Sequence, residues 1–422
     1  MSVSDQAESG QKTIPAWVVV TALAMVSGLQ PLTTDLYLPA LPQMQREMSL
    51  SPSEAQWTLS VLMLAMGLGQ LVWGPVADII GRRPVLRWGL GLYVLSSLLT
   101  TVANDIGLML VARALQGATL SAAVLCGRAM IRDLYPPEDG ARMMAKGMTG
   151  LGIIALVGPV VGALTATWFG WRATMSSMVL FGSVALAFIW THLPETLAPA
   201  RRQTQLNWLT LVRNWWQIAQ HPRFRAHTML TASTYGGLFV YLAASAFVFI
   251  DVLGTSRTAY GAGMSTLSLA YLVGTVVCRK LLPRRGLTGT IKLAGYCSLA
   301  GGLALLLVSV AQVTLHWRVS PLSLLPGMWL YAFAHGIHQP CGQTGVVSAF
   351  PTQAGAASAL SGFILSTTAF AVGALLSWWT ALPGWSGTIH PMTLGMALGG
   401  ALTAWVALGR VQRDGHVVGR AS

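Results

Sequence analysis

Two ionisable side chains stand where water is scarce. Asp35 directly follows an uncharged run, Thr13–Thr34, and Arg113 is the one charge inside Ile106–Gly127. Ionised groups are costly to hold inside a bilayer, so those that persist there pair, relay or bind. The first run is expected to lead outward, placing Asp35 towards its outer end. The run carrying Arg113 leads inward from about Ile106, which sets Arg113 roughly 10 Å deep at about 1.5 Å per residue. Similar depths would let carboxylate and guanidinium meet in a central cavity. Paired with Arg113, Asp35 keeps its charge; separated in a dry cavity, it takes a proton. Such a movable pair is a proton switch, with Asp35 as carrier and Arg113 as tuner. The structural alternatives are a wet helix-end carboxylate that bonds the following turn and an arginine that merely snorkels.

Other polar groups sit on two further apolar runs. Trp329, Tyr331, Phe333, His335, His338, Gln339 and Gln343 fall in the tenth. The spacing of His335, His338 and Gln339 puts them on one helical face, either lining a cavity or packing helix against helix. Tyr235, Tyr241 and Asp251 fall on the seventh. The histidines have no further ligand, so no metal site is expected. Cys126, Cys278, Cys297 and Cys341 lie in or beside apolar runs without CxxC spacing, which reads as small packing residues. There is no catalytic triad, HExxH or phosphate-binding loop, so an enzyme is not expected.

The elements that hold these residues follow from composition. The 422 residues are 54% hydrophobic and 9% charged, against roughly 25% charged in soluble proteins. The net charge of +13 suits either nucleic acid or a membrane surface. The basic residues lie between apolar runs rather than on one patch, which selects the membrane. A spanning helix needs about 20 mostly apolar residues. Nine runs qualify up to Trp317, and Val319–Gly409, which holds no Lys, Arg, Asp or Glu, is divided into three by turn residues at Ala349–Gly355 and Leu382–Gly387. Twelve helices are expected. With the N-terminus inside, 21 of the 26 Lys and Arg fall on the cytoplasmic side, Lys12, Arg201 and Arg420 among them, against Arg46, Arg172, Arg257 and Arg318 outside. That bias places both termini in the cytoplasm. The polar start, with Asp5 and Glu8, and the long first run argue against a cleaved signal peptide. The basic loop 195–225, with Trp208, Trp215 and Trp216, separates bundles 1–194 and 226–422. Its tryptophans suit a segment along the membrane interface or ordinary linker packing.

Four motifs occur in order. Gly74-Pro75-Val76-Ala77-Asp78-Ile79-Ile80-Gly81-Arg82-Arg83 follows the second run. Here Gly74 is expected to let helices approach, Asp78 to pair with a base or cap a helix, Gly81 to turn, and Arg82 and Arg83 to hold the cytoplasmic face. Thr33-Thr34-Asp35-Leu36-Tyr37-Leu38-Pro39-Ala40-Leu41-Pro42 ends the first run. Arg113-Ala114-Leu115-Gln116-Gly117 lies on the fourth and Gly152 through Gly158-Pro159-Val160-Val161-Gly162 on the fifth. Pro159 would kink its helix and the small residues would allow close packing. These resemble motifs A, B and C of the major facilitator transporters and the Asp-Met-Tyr-Leu-Pro-Ala-Leu-Pro run of the bicyclomycin and chloramphenicol resistance (Bcr/CflA) branch. Ile79, Leu36, Ala163 and Ala246 replace the family's basic residue, Met, Gly and Pro.

The resemblance implies an all-α integral membrane protein of the major facilitator fold, with twelve helices in two pseudo-symmetric six-helix bundles. It implies a monomeric, multi-pass protein of the bacterial inner membrane that takes no nucleic acid and no cofactor. Protons would serve as coupling ion for efflux of drug-like molecules, at ~2.3 kcal/mol per charge per 100 mV. A dedicated exporter of a metabolite such as a purine nucleoside is the alternative on the same scaffold. Asp35 and Arg113 would couple protons. Tyr37, Gln116, Tyr235, Tyr241, Trp329, His335, His338 and Gln339 would bind substrate. Gly74, Asp78, Gly81, Arg82, Arg83, Gly158, Pro159 and Gly162 would gate.

Overall fold

Inside hydrocarbon a backbone can satisfy its polar groups only within itself, so the charge-free runs fold as long helices. The computed structural model describes residues 14–198, 202 and 207–415. Asp5, Glu8, Lys12, Thr13, Arg201 and Arg420, used above, lie outside the described residues. The first six long helices are α1 (Ala16–Asp35), α2 (Pro52–Ile80), α3 (Arg82–Val102), α4 (Ile106–Leu134), α5 (Pro137–Phe169) and α6 (Trp171–His192). After the linker come α7 (Pro222–Ala246), α8 (257–285), α9 (287–314), α10 (Pro321–Ser348), α11 (Ala354–Ala381) and α12 (His390–Trp405).

Ten stretches are long and apolar enough to cross a membrane. One of them, the 58-residue Arg257–Thr314, is two helices, because Gly286 takes φ 64° and breaks it. Only glycine adopts that region without strain. The 28-residue α10 is long enough to span but is not among the ten. It contains Pro326, Pro340, two histidines and Gln339, which lower its apolar content.

Sequence chemistry fixes the helix starts. Ser51 caps α2 in a reciprocal box with Glu54, satisfying donors that the first turn leaves orphaned. Asp105 caps α4, accepting from the Leu108 amide at 2.9 Å. Along α3, Trp88, Leu92, Leu95 and Val102 are all exposed. Their spacing makes one continuous apolar face, the surface of a helix dissolved in lipid rather than water.

α1–α6 pack chiefly on one another, as do α7–α12, and the two groups meet where α2 runs against α11 and α5 against α8. On the first seam Gln56 accepts a hydrogen bond from Ser377 at 3.1 Å, and further along Gly362 lies against the Gln70 amide. On the second, Ser265 donates to the Leu156 carbonyl at 2.7 Å and Arg257 to the Ala166 carbonyl at 3.2 Å. Arg46, on the short helix Leu41–Glu47, pairs with Asp251 beyond α7 at 2.7 Å.

The expected loop 195–225 contains a helix, Trp208–Gln220, and α7 begins within it at Pro222. Proline suits the first helical turn, where its missing donor would be unpaired anyway. In the linker helix only Ile218 is buried, while Trp208, Leu209, Val212 and Trp216 are exposed.

Candidate functional site

α1 stops at Asp35 and the chain bends through the 3-10 turn Leu38–Ala40. What presses on this bend is α5. A Cβ at Gly162 would run into the Leu36 carbonyl, so glycine is required where the two backbones cross. One turn away, the Pro159 carbonyl and Ala163 face Gly261 of α8. The motif on α5 thus touches the Asp35 bend with one face and the second half with another. Gly158 differs from expectation: open space surrounds the place its Cβ would take, and the same holds for Gly74. Neither mediates close packing, since a side chain at either position would meet no neighbour.

Arg113 is fully buried on α4. Its guanidinium lies over the Tyr37 ring, 3.9 Å from the centroid. Nη1 donates to Gln116 Oε1 at 2.8 Å and to the Thr33 carbonyl at 3.4 Å. Nε and Nη2 have no hydrogen-bond acceptor. Around it a buried network continues. Gln116 donates to Ser97 at 2.7 Å, Thr33 bonds the Tyr93 hydroxyl at 2.7 Å, and Tyr37 bonds Thr58 at 2.8 Å. A buried cation with two idle donors and no carboxylate is an expensive arrangement, and such unpaired groups concentrate at functional positions.

The Asp35–Arg113 pairing expected from equal depth is absent in this conformation. Asp35 is half-buried, and its Oδ1 accepts from the Thr34 hydroxyl at 2.7 Å. Arg113 is turned back along α4 and beneath Tyr37, while the carboxylate sits beyond the last turn of α1. The bend that follows it, Leu38–Ala40, packs against α7 and α8, which carry Tyr235 and Tyr241 and Tyr260 respectively. All three tyrosines are buried, and Tyr235 reaches Met63 of α2 at 3.8 Å. The end of α1 in one half thus lies next to helices of the other half that carry buried tyrosines.

The residues of α10 diverge. His335 is buried, bonding Thr234 of α7 at 3.2 Å with its ring 5.6 Å from that of Tyr271 and 6.0 Å from Tyr235. His338 is turned to α9, where Nε2 meets the Ile291 carbonyl at 3.3 Å and Nδ1 has no partner. Gln339 has an unpartnered buried oxygen. Trp329 is exposed and donates to Thr266 at 2.8 Å. Thr266 shares the outer face of α8 with Leu269 and Val273, so Trp329 belongs to the lipid-facing surface rather than to a central wall. The shared face expected for His335, His338 and Gln339 splits between neighbours, because α10 is enclosed by α7, α8 and α9 at once. Among the described residues no group of three His, Cys, Asp or Glu could hold a metal.

At the turn after α2, Gly81 takes φ 112°. Arg82 pairs with Asp78 at 2.6 Å and Asp133 at 3.1 Å. The α3 N-terminus is capped by Glu195, which accepts from the Arg82 and Arg83 amides at 2.9 and 3.3 Å. Asp78 thus takes a base, and the capping falls to Glu195, which sequence reasoning missed. Nothing in its local sequence marks it; only the fold returns the chain after α6 to Gly81. Arg83 reaches the Trp190 carbonyl. Tyr93, Ser97 and Thr58 were also missed, although polar residues at i and i+4 in an apolar run were a usable signal for the first two.

Residues 23–374 match the family profile described as Major Facilitator Superfamily. The chain is similar to a chloramphenicol resistance protein of Pseudomonas aeruginosa, 27% identical over 92% of this chain and 91% of the relative. It is 24% identical to a bicyclomycin resistance protein homolog of Haemophilus influenzae, over 85% and 88% respectively. Its fold resembles that of a D-xylose–proton symporter, with a TM-score of 0.71 at 16% identity, over 93% of this chain and 97% of the other.

Proposed function

The chain belongs to the major facilitator superfamily, in its bicyclomycin and chloramphenicol resistance branch, and on that premise we propose that it exports small drug-like molecules in exchange for protons by alternating access. Family membership makes it a multi-pass membrane transporter of small molecules and not an enzyme. The proposal places it in the bacterial inner membrane as a monomer, with both termini cytoplasmic, twelve spanning helices, no cofactor and the proton as coupling ion.

One observation carries the reading. The fully buried Arg113 keeps two unused donors while it holds the Thr33 carbonyl at the end of α1, and the half-buried Asp35 at that same end is not paired with it. Rocking the halves changes what Asp35 faces, and with it the relative ease of holding charge or proton. When the second half swings away, Asp35 opens to outside water and is ionised; as the halves close and the site dries, the carboxylate takes up a proton drawn from that side. When it returns, substrate and proton compete for the space between Asp35 and the tyrosines. Arg113 offers Nε and Nη2 to whichever acceptor enters, and the Tyr37 ring holds it in place. Tyr37, Gln116, Tyr235, Tyr241, His335 and Gln339 remain the proposed substrate neighbourhood, with Gly162 and the Arg82 cluster as gating elements.

The test is counterflow in proteoliposomes with an imposed pH gradient, using chloramphenicol, bicyclomycin and a purine nucleoside as cargo. Drug flux that follows the gradient in the wild type and loses that dependence in Asp35→Asn supports the reading. Gradient-driven drug flux that persists undiminished in Asp35→Asn overturns it. Flux of the nucleoside alone would replace drugs by a metabolite as cargo.

A further inference from the structure

Between Val252 and Arg413 the chain contains no Asp or Glu, yet it carries Arg279, Lys280, Arg284, Arg285 and Lys292 at the inner ends of α8 and α9. Among the described residues none of these five makes an ion pair with a carboxylate. Like charges gathered without acids repel one another and need an anion from elsewhere.

Two of them flank a groove. Arg285, Gly289, Lys292, Leu293 and Tyr296 line a cleft of about 450 Å³ on one side of α9. Gly289 lends it only backbone, and a Cβ there would come within 3.3 Å of Arg285 Cβ. Arg285 ends α8 and Lys292 lies near the start of α9, so the two cations flank the cleft from either side of the Gly286 break. Tyr296 is exposed at the upper rim. Above it the same exposed face continues as Ala300, Leu303, Leu307 and Val310. The cleft therefore lies where a lipid-facing apolar stripe meets two uncompensated cations. It is cationic at one end and apolar along its length, the pattern of a phospholipid with an anionic headgroup.

We propose that this groove is a binding site for an anionic phospholipid, with the phosphate held between Arg285 and Lys292 and an acyl chain lying along Tyr296 and Leu303. The aromatic ring of Tyr296 sits at the level where headgroup gives way to chain, a position aromatic side chains favour at membrane interfaces. The site is remote from Asp35 and Arg113 and does not depend on the transported cargo.

The experiment uses the full chain, purified in a mild detergent and titrated with phosphatidylglycerol or phosphatidylcholine, with bound lipid counted by native mass spectrometry. The wild type should retain phosphatidylglycerol preferentially. Arg285→Ala with Lys292→Ala should weaken that retention about 30-fold, from about fivefold for each cation near an anionic partner. Gly289→Leu fills the groove and leaves every charge in place; it should weaken retention about fivefold or more. Equal retention of the two lipids, or an unchanged titration in the double variant, overturns the proposal. So does a loss on charge removal without a loss in Gly289→Leu, which would mean a diffuse field rather than a site. Inorganic phosphate at tens of millimolar should compete poorly, since it lacks the chains; full displacement by phosphate would assign the site to the free anion instead. Elution profile and thermal midpoint of each variant, all changed on the exposed surface, establish that the fold is retained.

Discussion

In the first half, the buried arginine at the turn between α2 and α3 has its acids: Arg82 lies between Asp78 and Asp133, and Glu195 caps the helix that Arg82 begins. In the second half the corresponding turn, between α8 and α9, has five cations and no carboxylate. The middle of the bilayer shows a parallel contrast. The first half places Asp35 and the buried Arg113 there, whereas the second supplies hydroxyls and rings: Tyr235, Tyr241, Tyr260 and His335. The halves are therefore alike in architecture and unlike in charge. One holds fixed charge, paired with acids at Arg82 and unpaired at Arg113; the other offers a polarisable wall inside and an unbalanced basic turn between α8 and α9. An alternating-access machine built this way would have its ionic coupling in one bundle and use the other as the surface against which it switches.

The contrast can be broken most severely at Asp35 and Arg113. Arg113→Lys keeps the charge but loses the planar stacking on Tyr37 and the fork of donors. Gradient-driven flux should fall about tenfold or more, and Asp35→Asn should abolish the gradient dependence, both read in proteoliposomes. The corresponding histidine change in the second half, His335→Gln, should alter cargo preference while leaving the pH response in place, since it carries no coupling charge.

Next in size is stability. Arg82→Ala strands two carboxylates, one of them nearly buried, and should cost about 3 kcal/mol, seen as a lowered thermal midpoint in detergent. Arg284→Ala removes an exposed cation with no acid to strand and should stay within about 0.5 kcal/mol. Equal losses at the two positions would erase the difference between the halves.

Two smaller effects sharpen it. Tyr37→Phe keeps the ring over Arg113 but leaves Thr58 without its 2.8 Å partner, at about 1 kcal/mol. The Arg46–Asp251 pair, 2.7 Å but largely exposed, joins the halves at their outer ends. Arg46→Ala should shift the population towards the outward-open form by fivefold or less, since exposed pairs are worth about 0.2–1 kcal/mol. Distance distributions between spin labels on the outer ends of α1 and α7 would record the shift, and exchanging the two charges should reverse it.

Much of the fold was legible because bilayer physics writes itself into composition. Uncharged runs of about 20 residues read directly as helices, and the turn residues that split Val319–Gly409 fall where α10, α11 and α12 are separated. The break between α8 and α9 was legible as a basic stretch between two apolar runs, but not its place at Gly286, and the linker tryptophans suggested an interfacial segment without marking it as a helix. A kink in a basic loop and a short amphipathic helix leave weak signals beside long apolar runs. Of the candidate site, the sequence conveyed a neighbourhood more than its contacts. Asp35, Arg113, Tyr37 and Gln116 do gather around the end of α1, three of them joined through Arg113, but the Asp35–Arg113 pair that equal depth suggested is not formed.

By itself, then, the sequence determined the solvent this protein lives in, the order of its helices and the few ionisable groups that enter the bilayer, because each is a one-dimensional property of hydropathy and residue type. The tertiary structure alone decided what those groups face. Rotation about each helix axis is set by packing with non-adjacent helices. That rotation turned Trp329 outward and His338 to α9, brought Glu195 to Gly81, laid Tyr37 over Arg113 and left the end of α1 next to the helices that carry the tyrosines of the other half.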